Sequence, residues 1–196
     1  MSPEPTLWER SRQAALTEIT TVAMRLILDQ GFEQTTIDQI AETSGISRRS
    51  FFRYFRTKED VVLGDLAGQG VLMQEALEAV PLSVGPWEAL REAFDAIEAL
   101  EGDSGTTLKI AKMMYETPSL RSRSIEKHLH WQSLLVPNIR LRLGIQDGQG
   151  DPSAEAIVAC CIACLDVAGE LWTKEGGTSS LADLYDQAVH GMRSAD

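Results

Sequence analysis

The residues best suited to chemistry lie in one short basic segment, residues 47–58. The segment carries five basic residues and no acidic one: Arg48, Arg49, Arg53, Arg56 and Lys58. Arginine can form two parallel hydrogen bonds with the edge of a guanine base, and lysine or a hydroxyl group can bind a phosphate oxygen. The segment therefore has the side chains of a nucleic-acid-binding surface. On charge alone, a solvated helix face is an equally good interpretation.

Two short predicted helices joined by a tight turn present this segment. Thr36 and Gln39 form a capping-box pattern at the start of the first helix. Gly45 supplies the turn, and Ser47 can cap the second helix. This spacing is typical of a helix-turn-helix, whose second helix enters the major groove of DNA. Phe51, together with Phe55 one turn later, would anchor that helix from behind.

The pattern predicts a role for each outward side chain. Arg48 and Arg49 would read base edges, Phe52 would contact a thymine methyl group or a sugar, and Lys58 would bind phosphate. The complete predicted DNA-binding set is Thr36, Ser47, Arg48, Arg49, Ser50, Phe52, Arg53, Tyr54 and Lys58.

These motifs resemble the TetR-type bacterial transcription regulators. The matching stretches are GFEQTTIDQIA at residues 31–41, SGISRRSFFRYF at 44–55 and TKED at 57–60. The resemblance covers roughly residues 12–72. It implies a homodimer with an N-terminal DNA-binding head and a C-terminal effector-binding and dimerisation body, usually a repressor that a small molecule releases from its double-stranded operator.

Two positions depart from the usual pattern of that family. Many relatives have a small or uncharged residue in place of Arg49 and a proline in place of Arg56. The pair Arg48–Arg49 favours a GC-containing operator. The motif RRSFF at residues 48–52 also resembles that of a subgroup with a mycofactocin-regulator-like body, some members of which respond to acyl-CoA.

The elements that must position these residues are helical throughout. Apolar residues recur every three or four positions, which predicts an all-α fold of about nine helices. We expect a three-helix head in residues 1–56 and a body in residues 57–196, which begins with one connecting helix over 57–80. Pro137 is expected to interrupt a long helix in the body.

The body holds the predicted effector site and the predicted dimer interface. Soft and aromatic side chains suggest an apolar or amphipathic effector, although each could also be core packing. They are Met73, Phe94, Met113, Met114, Tyr115, Trp131, Leu134 and Trp172. The helices over 153–174 and 181–192 are expected to form a four-helix contact with their symmetry mates. This expectation rests on the density of small residues around Ala156 and Ala163, which permits two helices to approach closely.

Other reactive residue types carry weaker signals. Three cysteines share one apolar helix and could bind a soft metal, act as a redox switch or simply pack: Cys160, Cys161 and Cys164. Packing is favoured, with an intersubunit thiol pair next. His128 and His130, two residues apart, point to different helix faces. Asp166 and Glu170 would meet solvent, a partner's arginine or a polar ligand group. We expect no metal and no cofactor.

Composition, charge and the length of apolar runs limit the classes of protein to which this chain can belong. The chain has 196 residues and a net charge of −11, of which residues 1–60 carry −1 and residues 61–196 carry −10. The longest apolar run, residues 156–165, is too short for a membrane span of about 20 residues. The sequence therefore predicts a reduced, cytoplasmic protein without a membrane partner. An all-α enzyme that grips an anionic cofactor and an adaptor bundle are the alternative classes, but we find no catalytic motif and expect no enzyme.

Overall fold

Helical periodicity and well-placed caps fold this chain into α-helices only, as the sequence predicts. The computed structural model describes residues 6–64, 66–98, 104–146, 148 and 150–194. In this part of the chain there are ten helices and no strand. They are α1 Leu7–Gln30, α2 Ile37–Thr43, α3 Arg48–Tyr54, α4 Lys58–Leu63, α5 Leu66–Ala79, α6 Pro86–Glu98, α7 Ser104–Glu116, α8 Pro118–Arg142, α9 Ser153–Lys174 and α10 Leu181–Arg193. They form two compact units, Met1–Gly64 and Asp65–Asp196, which we call the head and the body.

The head is built around the helix-turn-helix. Thr36 and Ser47 cap α2 and α3 through their hydroxyl groups, as predicted. Between these helices Gly45 has φ +67°, a conformation that residues with a Cβ rarely adopt. One apolar core joins α1 to α4, so that the two short helices are held by tertiary packing. Its buried members are Ile19, Ala23, Ile40, Ala41, Phe51, Phe55 and Val61.

The predicted connecting helix over 57–80 is wrong as a single element. Thr57 caps α4 with a capping box that includes Asp60, but α4 ends at Leu63. Gly64 has φ +64° and ψ −158°, which is not a helical conformation, and α5 begins at Leu66. Asp65 lies outside the described residues. This break makes ten helices where nine were expected. The predicted functional boundary after residue 56 stays a prediction.

The body packs α5 to α10 around a second apolar core. Leu77, Leu90, Leu135, Ile139 and Val158 are its most deeply buried large side chains. The expected interruption at Pro137 is wrong, because α8 continues through it to Arg142. A proline inside a helix removes one backbone hydrogen bond. Complete burial of Leu135 and Ile139 on either side stabilises the helix despite that loss.

Arg142, the last residue of α8, fastens the end of α5 to α8. Its two Nη atoms donate to four backbone carbonyl oxygens in residues 77–84: those of Leu77 at 2.9 Å, Val80 at 2.8 Å, Pro81 at 2.7 Å and Val84 at 3.1 Å. Its Nε donates to the side chain of Asn138 at 2.7 Å. The Leu77 carbonyl lies in the last turn of α5, where carbonyl groups lack a helical partner, and the other three carbonyls follow the end of that helix.

One face of α9 is apolar and exposed. Ala156, Ala163, Val167 and Leu171 lie along it at helical spacing. Among the described residues, α9 is also the one helix long and apolar enough to cross a membrane, a test that the core helix of a globular protein passes as well. The other face of α9 packs into the body core, which leaves this stripe exposed to solvent.

Candidate DNA-binding and effector sites

The recognition helix α3 is fixed from behind by two aromatic rings. Phe51 is fully buried and Phe55 is nearly so, and their ring centroids lie 5.5 Å apart. Both occupy the head core with Ile40 and Val61. Since these two positions face inward, Phe52 and Arg53 lie on the other side of the helix and are exposed.

The outward face of α3 carries four of the nine predicted DNA-binding residues. Arg48, Arg49, Phe52 and Arg53 are all exposed. Phe52 keeps 45% of its surface in contact with solvent. Together the three arginines give this face a positive charge suited to the phosphate backbone.

Arg48 is held by the neighbouring helix. Its Nη1 donates to Oδ2 of Asp38 in α2 at 2.7 Å. Its guanidinium also lies over the Phe52 ring, 5.7 Å from the centroid. Asp38 was not among the predicted site residues, because its sequence position shows only an acidic residue in the first turn of α2.

The predicted hydroxyl contacts already serve as helix caps. Thr36 Oγ1 accepts from Gln39 N at 3.2 Å, and Ser47 Oγ accepts from Ser50 N at 3.1 Å. Tyr54 is half-buried against the head core. Caps of this type fix the helix N-termini, whose free amides are themselves suited to bind phosphate.

Lys58 is half-buried and has partners inside the head. Its Nζ donates to the backbone oxygens of Phe32 at 2.5 Å and Thr35 at 2.8 Å, and it lies 4.0 Å from the centre of the Phe32 ring. Sequence reasoning gave this lysine to phosphate and missed its structural contacts. An ammonium group has three donors, so that one remains beyond the two that hold the loop between α1 and α2.

Among the described residues, the body core lines a small cavity of about 10 Å³, enough for a single water molecule. Of the eight predicted effector contacts, Met73 and Phe94 line it. Sequence reasoning missed the other lining residues, which are Leu90, Leu135, Val158, Cys161, Ile162, Leu165 and Tyr185. Their only signal is apolar periodicity, which core residues share with pocket residues.

The other predicted effector residues lie apart from this cavity. Trp131 and Leu134 pack on Gly70 of α5, so closely that a Cβ there would come within 2.7 Å of the indole. Trp172 packs beside Gly177. The remaining three, Met113, Met114 and Tyr115, are half-buried on α7. Around this one described cavity the structure therefore brings together two of the eight residues, and the predicted effector set as a whole stays a prediction.

A charged cluster links α7, α8 and α9. Arg121 Nη1 donates to Asp166 Oδ1 at 3.1 Å, and His128 Nδ1 lies 3.7 Å from Asp166 Oδ2. Tyr115 donates from its hydroxyl to the Asp166 backbone oxygen at 3.2 Å. Burial by itself raises the pKa of Asp166, but the neighbouring His128 and Arg121 outweigh it and leave that pKa below its ordinary value.

This arrangement gives each member of the acidic pair a partner within its own chain. Asp166, which is mostly buried, pairs with Arg121. Glu170 pairs with Lys174 one turn further along α9, at 2.7 Å. His128 faces Asp166 whereas His130 is exposed, so that the two histidines do point to different faces.

The cysteines lie in apolar surroundings. Cys161 and Cys164 are buried, and Cys160 is half-buried toward the exposed stripe of α9. Burial raises the pKa of the Cys161 thiol to about 12. A thiol with such a pKa is protonated at neutral pH and is unreactive, because the thiolate is the nucleophile and the metal ligand.

Comparison with known proteins accounts for both units. The sequence profile described as bacterial regulatory proteins of the tetR family matches residues 19–64. The profile described as the MftR C-terminal domain matches residues 84–195, more than half of the chain.

Individual relatives agree with these profiles. The chain is 28% identical over 198 residues to the HTH-type transcriptional regulator TcmR of Streptomyces glaucescens, covering 96% of this chain and 87% of TcmR. It is 25% identical over 178 residues to the HTH-type transcriptional repressor AcnR of Corynebacterium diphtheriae, covering 91% of each. The fold is similar to that of Thermus thermophilus FadR, a TetR-family repressor in complex with lauroyl-CoA. That match has a TM-score of 0.60, 21% identity and coverage of 91% of this chain and 93% of FadR.

Proposed function

The chain belongs to the TetR family of bacterial regulatory proteins, with an MftR-type C-terminal domain, and we propose that it represses transcription until an effector releases it from operator DNA. It acts by binding, not by catalysis, and it works in the cytoplasm, where its operator is. The observation that carries this proposal is the outward face of α3. This face combines exposed arginines with an exposed phenylalanine, on a helix that two buried rings hold rigidly.

Each side chain of that face has a proposed task. Arg48 and Arg49, in the first turn of α3, read base edges in the major groove, and Phe52 contacts a thymine methyl group or a sugar. Arg53 and Tyr54 bind the sugar-phosphate backbone of the DNA. The hydroxyl groups of Thr36, Ser47 and Ser50 bind the same DNA backbone. Lys58 gives its third N–H to a phosphate while its other two hold the head loop together.

The functional unit is a homodimer whose interface includes the exposed stripe of α9. Ala156 and Ala163 are exposed and small, and Val167 and Leu171 are exposed and apolar. A stripe of this kind loses unfavourable contact with water when a second copy covers it. Small residues let two such helices approach closely, and α10 would complete a four-helix contact. Two heads in one dimer can then read two half-sites of an operator.

The effector is an apolar or amphipathic molecule that binds in the body. The body core is apolar, with soft side chains such as Met73 around its cavity. The similar fold of FadR binds lauroyl-CoA, which makes a long-chain acyl-CoA the first effector to test. Since this cavity is about 10 Å³, an effector that binds in it would displace core side chains and so favour an alternative conformation of the body.

The proposal is tested by measuring DNA binding and effector binding together. An operator would first be located by gel shift, at a stated salt concentration, on the DNA upstream of the chain's own gene. Calorimetry would then measure lauroyl-CoA binding to the free protein and to the operator complex. Because binding is reciprocal, we expect operator DNA to weaken lauroyl-CoA binding about 5- to 150-fold.

The possible results separate the parts of the proposal. Absence of any sequence-specific shift would refute the DNA-binding function and leave an adaptor or an enzyme. A specific shift with equal lauroyl-CoA affinities in the two titrations would refute that effector and retain the operator binding.

A further inference from the structure

The ion pair between Asp38 and Arg48 bridges the two helices of the helix-turn-helix on its exposed side. The two side chains keep 66% and 59% of their surfaces exposed, and Nη1 lies 2.7 Å from Oδ2. An ion pair so open to water contributes little to stability. Its effect on the fold is therefore small, and its position on the face proposed to meet DNA needs another account.

The guanidinium of Arg48 is restrained from two sides. Asp38 binds one nitrogen, and the Phe52 ring lies beside the planar group, 5.7 Å from its carbon. A guanidinium has five N–H donors, and one bond to Asp38 leaves enough for the two that a guanine edge accepts. An arginine restrained in this way loses less side-chain entropy when it binds a base.

Asp38 also has an opposite effect on binding to DNA in general. A carboxylate close to the phosphate backbone repels it and weakens binding to every sequence alike. The restrained Arg48 offsets this weaker binding only at sites where it can reach a guanine. The combination lowers affinity for random DNA and preserves affinity for the correct base, which increases the ratio between them.

We infer that Asp38 is a specificity-determining residue, which positions Arg48 for base readout and suppresses binding to other sequences. The inference rests on the proposed function, since it concerns the same DNA-binding face. Asp38 is a positioning residue here, and Arg48 makes the contact with the base.

The test uses full-length protein and two DNA probes: a pool of random-sequence duplexes, and the site that wild-type protein enriches from that pool. The specificity ratio is the dissociation constant for the pool divided by that for the enriched site, both at one salt concentration. For Asp38→Ala we expect this ratio to fall roughly 5-fold, while binding to the pool stays equal or becomes tighter. Asp38→Asn, which keeps an acceptor oxygen without the charge, should lie between.

Two further variants separate positioning from charge. Glu42→Gln removes an exposed negative charge from the same helix, and it should change both dissociation constants equally and leave the ratio unaltered. Arg48→Ala should lower the ratio, and adding Asp38→Ala to it should lower the ratio no further, because the two residues act as one unit.

The outcomes are distinct. Equal shifts of both dissociation constants in Asp38→Ala, as in Glu42→Gln, would overturn the inference and leave Asp38 as a surface charge. Independent, multiplying effects of Asp38→Ala and Arg48→Ala would overturn it as well. Failure of wild-type protein to enrich any sequence would refute the proposed function, and the inference with it.

Discussion

Replacement of Arg142 by methionine should strongly destabilise the body, although Arg142 touches neither proposed site. Methionine keeps the unbranched aliphatic stem and removes the guanidinium. Two of the four carbonyl groups retain a backbone partner, since Val80 N donates to Leu77 O and Val84 N donates to Pro81 O. The carbonyls of Val80 and Val84 lose the Arg142 donor that the structure gives them.

The expected loss follows from these two groups. A partly buried carbonyl left without a hydrogen bond costs about 1–3 kcal/mol. Both lie at the rim of the core, where some water can reach them, so that the lower half of this range applies to each. We therefore expect Arg142→Met to lower the free energy of unfolding by about 2–4 kcal/mol.

Urea unfolding followed by tryptophan fluorescence measures this change, because three of the four tryptophans, Trp87, Trp131 and Trp172, lie in the body. Arg140→Met is the matched control. Arg140 lies two residues earlier on α8 and pairs with exposed Glu155 at 3.0 Å, a contact worth about 0–1 kcal/mol. If the two variants agreed within about 0.5 kcal/mol, the usual range of surface substitutions, the reasoning about Arg142 would be refuted.

Three further predictions concern the head, the interface and the charged cluster. Arg49→Ala should relax base preference and weaken binding to the preferred site by about 1–3 kcal/mol. Lys58→Met should weaken binding to all sequences alike and reduce the salt dependence of binding, as the slope of log K against log salt, by about one. The reverse pattern in competition titrations would contradict the roles assigned to Arg49 and Lys58. Ala163→Glu should give monomers in sedimentation, whereas the control Ala96→Glu, at an exposed position of α6, should stay dimeric. A dimeric Ala163→Glu protein would exclude this interface. Because the pKa of Asp166 is lowered, wild type should be more stable than Asp166→Asn above about pH 5. This advantage should disappear as the pH falls below about 4, the ordinary pKa of an aspartate. If the ion pair contributed nothing, urea unfolding above about pH 5 and below about pH 4 would give the same difference in stability between the two proteins.

Local sequence rules sufficed where the structure is decided locally. Thr36 and Ser47 were predicted as caps from their own positions, and each accepts the expected backbone hydrogen bond. The helix break at Gly64 and the continuity of α8 through Pro137 escaped these rules. In each, the backbone follows something other than local propensity: a positive φ at a glycine, and burial on both sides of a proline.

Long-range partners of charged residues were the least predictable features. Arg142 binds carbonyl groups some sixty positions earlier in the chain, and the contact of Asp38 with Arg48 spans ten positions and a turn. In the sequence each appears as an ordinary surface charge. The proposed base-reading face was accessible to sequence reasoning because it depends on one short helix, whereas the effector site depends on how five helices meet.

The small size of one cavity in the body affects how the protein would respond to concentration if the proposed effector binds there. The described cavity between α5, α6, α8, α9 and α10 holds about one water molecule, so that a larger effector would enter it only in a more open form of the body. The apparent dissociation constant is the intrinsic one divided by the open fraction. A rare open form therefore acts as a threshold, below which traces of many apolar metabolites leave the operator occupied. It also limits speed, because at high effector concentration induction can proceed no faster than the body opens.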